Sequence, residues 1–158
     1  MSAMLSPEAG IPSPPSTTPA IGEGGYLLRQ SGGKPLRIRG ELLAECTSRT
    51  PAAPTWQELQ IFRCDDGKVA LALRTCRDNR SESDVFHAHL FDSLEQALAW
   101  LQSFDPAADL FADLDASDRR ISATEIALRA ASLRQRADWV EMQYRSMIGE
   151  LLFQFDIG

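Results

Sequence analysis

Lysine is almost missing from this chain: Lys34 and Lys68 stand against fourteen arginines. The arginines are scattered, with no basic stripe, so direct DNA or RNA binding is not expected. Cysteine is scarce as well. Cys46, Cys64 and Cys76 cannot all pair, which argues against a disulfide scaffold and for a reducing compartment. No apolar run approaches the ~20 residues that span a bilayer. No basic stretch leads into an apolar one near Met1, so a secretory signal is not expected and the cytoplasm is the expected location. Also missing are a Cys-x-x-Cys pair, a nucleophile elbow and a convincing carboxylate dyad; Ser31-Gly32-Gly33-Lys34 is no phosphate loop, because no helix follows it. The expectation is a non-catalytic protein without a cofactor.

What is present suits one globular domain. The chain has 158 residues, 44% hydrophobic and 24% charged, enough to bury a core. Its net charge of −6 is unevenly placed. Between Asp92 and Asp118 there are seven acids and no base. Such a segment repels phosphate and suits a basic protein surface. Asp105, Asp109, Asp113, Asp115 and Asp118 are therefore the candidate partner-binding residues. A solvated helix and loop with capping acids accounts for the same residues without a partner.

Residues 1–30 read as a disordered tail, with Pro7, Pro12, Pro14, Pro15 and Pro19 set among Ser, Thr and Gly. Residues 31–118 read as an α+β domain and 119–158 as a long helix for assembly. KPLRIRGELLAE alternates as a half-buried strand. WQELQIFRC and VALALRTC flank Asp66-Gly67, a hairpin signal. With those two residues as the turn, Cys64 faces Val69, Phe62 faces Leu71 and Cys76 faces Gln57. Both faces of the hairpin are partly apolar, so each of two later helices is expected to cover one. After the polar loop RDNRSES, DVFHAHLF is a fourth strand. Ser93 and Gln96 form a capping box that opens a helix to about Phe104. A short turn is expected around Leu110 and Phe111.

A second capping box, Ser122 with Glu125, begins about 34 residues without proline, a helix of about 50 Å. Ile126, Leu133, Val140 and Met147 fall at one heptad position; Ala130, Ala137, Tyr144 and Leu151 fall at another. Ile126, Leu133, Val140, Tyr144, Met147 and Leu151 are the candidate oligomerisation residues of a homodimer. Leu128, Trp139, Met142 and Phe153 lie off this seam.

Three chemical alternatives stay open. His87 and His89 share a strand face and would ligate a metal if Cys46, Cys64, Cys76 or Asp84 supplied a third ligand, giving a metal-dependent enzyme. Asp113 to Glu125 is EF-hand-like, but Asp118 replaces the turn glycine and Glu125 falls one place late. Arg129, Arg134 and Arg136 would serve a dimeric DNA-binding regulator.

In Leu36 to Leu71, a strand with Gly40, Leu43, Ala44 and Glu45 is followed by Trp56, Glu58, Leu59, Phe62 and Arg63. This pattern, G-x-x-L-A-E then W-x-E-L-x-x-F/Y-R, resembles small phage- and plasmid-borne bacterial proteins with no assigned activity. Gln57 and Cys64 stand where those proteins have Thr. The resemblance implies a mobile-element origin. The expectation is then an acidic α+β protein of about four antiparallel strands, one short helix and one long one. It would be a protein-binding factor that docks a basic groove of a host defence complex and keeps nucleic acid out.

Overall fold

A computed structural model describes residues 20, 22–77, 84–111 and 122–157. Five strands, β1 (Gly25–Leu28), β2 (Leu36–Thr47), β3 (Thr55–Cys64), β4 (Val69–Arg77) and β5 (Val85–Phe91), precede three helices. These are α1 (Leu94–Ser103), α2 (Ala108–Phe111) and α3 (Ala123–Ile157). The strands lie in chain order in one antiparallel sheet, so the α+β class holds, with five strands where about four were expected.

The extra strand is β1, inside the expected tail. It pairs with β2, with Leu28 opposite Leu36. Ser31, just beyond it, reaches the other edge of the sheet. Its amide donates to the Phe86 carbonyl (2.9 Å), and its hydroxyl accepts from the Phe86 amide (2.8 Å). The sheet thus curls until its two edges meet. A bulge between Leu42 and Ala44 helps β2 bend and switches the parity of its side chains. Ile38 joins one core cluster, while Ala44 and Cys46 pack against another.

The β3–β4 register differs from the expected one by a residue. Arg63 faces Val69, Ile61 faces Leu71, and Trp56 rather than Gln57 faces Cys76. The turn explains the shift. Gly67 sits at φ +88° and its amide donates to the Cys64 carbonyl (2.9 Å), while Cys64 N donates to Lys68 O (2.8 Å). This is a three-residue loop closed by a left-handed glycine, not a two-residue turn. A one-residue slip moves a strand's whole apolar set to the other face. Val69, Leu71 and Leu73 therefore share a core with Leu59 and Ile61, whereas Phe62 and Cys64 join Ala70 and Ala72.

Both long helices cover the first of these faces. Ala97 and Leu101 of α1 meet Tyr144, Met147, Ile148 and Leu151 of α3 there. The Tyr144 hydroxyl donates to the Leu101 carbonyl at 2.6 Å, tying the helices together. The other face is closed by the sheet itself: Leu28 and Ile38 lie over Phe62, and the Tyr26 and Phe62 rings are 4.6 Å apart. The expectation of one helix per face is thus corrected, because the curl covers the second face without a helix.

Ser93 Oγ accepts from Gln96 N (3.2 Å) and Ser122 Oγ from Glu125 N (3.1 Å), so both helix starts are capped where the sequence places them. The 35 residues of α3 run unbroken, a length of about 52 Å. Between Ala123 and Arg136 no side chain is fully buried; the helix is anchored from Ala137 onward. Its anchored half belongs to the same core as the sheet, so a boundary at 118/119 does not separate two packing units.

Candidate functional site

Odd-numbered residues of β3, β4 and β5 face the helices, which brings Gln57, Thr75 and His87 to one end of that face. The four-residue α2 lays Asp109 over them. Thr75 Oγ1 donates to Asp109 Oδ2 (2.7 Å), and His87 Nε2 is 3.0 Å from the same oxygen. Gln57 Nε2 donates to Thr75 Oγ1 (3.5 Å), Ser48 Oγ donates to Gln57 Oε1 (3.4 Å), and an Arg77 guanidinium N–H donates to the Asp109 carbonyl (3.0 Å). Asp109 is 7% exposed. This network satisfies groups whose burial would otherwise be costly, and it fixes α2 to the sheet.

The two imidazoles do share a face, as expected, but they meet different partners. His87 stands edge-on to Phe104 (5.1 Å between centroids), while His89 lies 4.7 Å from Trp100. Burial, with His87 beside it, pushes the His89 pKa below its usual value. Among the described residues no three His, Cys, Asp or Glu side chains are grouped to hold a metal. Burial also pushes the Cys46 and Cys76 thiols up to about 12, so neither is a ready thiolate. The far face carries a second polar set around Arg74, whose guanidinium donates to Asp84 Oδ2 (2.6 Å) and contacts Glu58 (3.5 Å). A cavity of about 270 Å³ opens at the β2–β3 loop, between Arg49, Thr50 and Trp56.

The candidate partner-binding acids do not form one described surface. Asp105 is exposed. Asp109 is turned inward onto Thr75 and His87, a correction to its reading as a docking residue. Asp113, Asp115 and Asp118 lie outside the described residues, as does most of the EF-hand-like loop. Arg129 and Arg134 are exposed and Arg136 half-buried, but Arg134 lies about 140° around the helix from Arg129 at ~100° per residue. The three arginines do not share a face.

The oligomerisation set is also corrected. Val140, Tyr144, Met147 and Leu151 are buried within their own chain, and Leu133 packs beside Leu110, Ala137 and Val140. Ile126 is half-buried. The heptad seam is the inward face of the helix, since the sheet, α1 and α2 take up its apolar groups from Leu133 onward. The outward face carries the four residues set aside: Leu128 (67% exposed), Trp139 (39%), Met142 (60%) and Phe153 (66%). They belong to one stripe, Leu128, Ala131, Gln135, Trp139, Met142, Ser146, Gly149 and Phe153, spaced by threes and fours and exposed throughout. Its sequence signal is the eleven-residue interval, three helical turns, that separates Leu128 from Trp139 and Met142 from Phe153.

No family model matches the chain, and neither do curated proteins or solved structures. No described helix is long and apolar enough to cross a membrane.

Proposed function

We propose that the protein is a non-catalytic binding and regulatory factor that holds another polypeptide against the outer face of α3. The observation that supports this is the exposed Leu128–Trp139–Met142–Phe153 stripe. Large apolar groups aligned along one helix face are the material from which helix-recognition surfaces are made. The polar groups of the sheet favour the same reading. Asp109 is engaged by Thr75 and His87, Arg74 by Asp84, and the Cys76 thiol is held protonated.

Affinity capture with the intact chain, compared with a Trp139→Arg/Met142→Glu double variant, tests this function. Loss of the polypeptides held through α3, copies of this chain included, is the expected result, with the fold unchanged by circular dichroism. Equal capture by both forms would refute it.

A finer version makes the factor a mobile-element product whose acidic segment fills a basic groove of a host nucleic-acid-handling complex. With Asp109 inside, that role falls to Asp105, Asp113, Asp115 and Asp118. Charge reversal of Asp105, Asp113 and Asp115 should then abolish capture of that complex while leaving the helix-mediated contact intact.

A further inference from the structure

We infer that the polypeptide held on the outer face of α3 is a second copy of this chain, paired antiparallel about a two-fold axis at the middle of the helix. The inference rests on the binding role proposed for that face and names its occupant. An isologous two-fold contact requires a surface that is its own complement. When α3 is reversed about the point between Val140 and Glu141, six of the eight stripe residues exchange with one another. Leu128 then falls opposite the second copy's Phe153, and Trp139 opposite the second copy's Met142. Of the smaller residues, Gln135 meets Ser146. That point is also the middle of the helix, which spans Ala123–Ile157, so the two helices overlap along their whole length.

The flanking charges fit the same axis. Asp138 and Arg145 are both exposed, on one flank of the stripe. In antiparallel helices like flanks face each other, so Asp138 meets the second copy's Arg145, twice by symmetry. The axial offset is about two residues, ~3 Å, within reach of an arginine side chain. Within its own helix Arg145 donates to Glu141 (3.1 Å), on the side away from the stripe, so the pair with Asp138 of the second copy forms in exchange for that contact. Gly149, at the edge of the stripe, has open space where a Cβ would be, leaving room for a second helix to approach. The arrangement also gives the loosely anchored Ala123–Arg136 half of each helix something to pack on, namely the anchored half of the other copy.

Disulfide trapping reads the orientation. Leu128→Cys and Phe153→Cys chains, each purified alone and then mixed under mild oxidation, should cross-link to one another. Neither should cross-link to itself, because in this pairing identical ends lie about 37 Å apart (25 residues at 1.5 Å). Cys64 and Cys76 are buried, and a Cys46→Ser background removes the one partly exposed native thiol. Self-cross-linking of Leu128→Cys would mean a parallel pair and would overturn the proposal. Sedimentation should show a dimer of the intact chain, and Trp139→Arg should raise its dissociation constant at least about 30-fold, as for a central interface aromatic. Asp138→Arg alone should weaken the dimer, and adding Arg145→Asp should restore it. A strict monomer at high micromolar concentration overturns self-pairing. If that monomer still captures a different polypeptide that Trp139→Arg releases, the binding role stands while its occupant is another protein.

Discussion

At the scale of single residues, legibility depends on sequence distance. Ser93 and Ser122 each cap a helix through the amide three residues away, and the pattern alone placed both. The Asp109 contact with Thr75 spans 34 positions, and nothing local marks it. Composition therefore made Asp109 one acid among seven, whereas folding made it the acceptor that fixes α2. Asp109→Ala should cost about 1–3 kcal/mol, since it strands the Thr75 hydroxyl and one His87 nitrogen in partly dry surroundings; urea unfolding against an Asp105→Ala control checks this. Gly40 is a second case. A Cβ there would lie 2.0 Å from the Arg63 carbonyl, so Gly40→Ala should destabilise by about 1–3 kcal/mol, read as a lowered melting temperature. His89 gives the pH dependence. Its folded pKa lies below the ordinary value of 6.5 because of burial and the neighbouring His87. The unfolded chain therefore binds the proton first as pH falls, and the stability tied to His89 is complete above about 6.5 and lost as pH drops through the lower folded value. The urea midpoint should fall between pH 7.5 and 5.5, and fall less in His89→Gln. Equal falls would remove His89 as the source.

At the scale of elements, strands and helices were legible where one period ran long enough. The α3 segment, the β3–β4 pair and the α1 cap all emerged from spacing. The failures were of register and facing. Asp66-Gly67 announced a hairpin but not its loop length, and one residue of difference exchanged the two faces of β4. In α3, two apolar stripes share one helix, and spacing does not say which of them the sheet takes. The heptad seam, richer in Ala and β-branched side chains, lies inside; the eleven-residue stripe with Trp139 and Phe153 lies outside. Gly149 sits on that outer stripe, where an added methyl group would meet no neighbouring atom within 4 Å. In the monomer Gly149→Ala should therefore stabilise α3 by about 1 kcal/mol through helix propensity alone, visible as a higher urea midpoint in the Trp139→Arg background.

At the scale of the whole molecule, the closure of the sheet was the feature the sequence hid. A four-residue strand following a proline-rich segment offers too short a run for periodicity, and its role depends on a contact with Phe86 across the far edge. Yet β1 decides how the second face of the sheet is kept dry. Leu28 is fully buried there beside Ile38 and Phe62. If residues 1–30 formed a tail, Leu28→Ala would be a surface change worth less than about 0.5 kcal/mol. In the curled sheet it opens a cavity in a core cluster and should cost about 2–5 kcal/mol. The unfolding midpoint separates these outcomes. Ser31→Pro makes the same point from the edge: it removes both the amide and the hydroxyl that hold Phe86. Amide hydrogen exchange at Phe86 should then accelerate, while exchange at Leu71, in the centre of the sheet, should change only as far as global stability does.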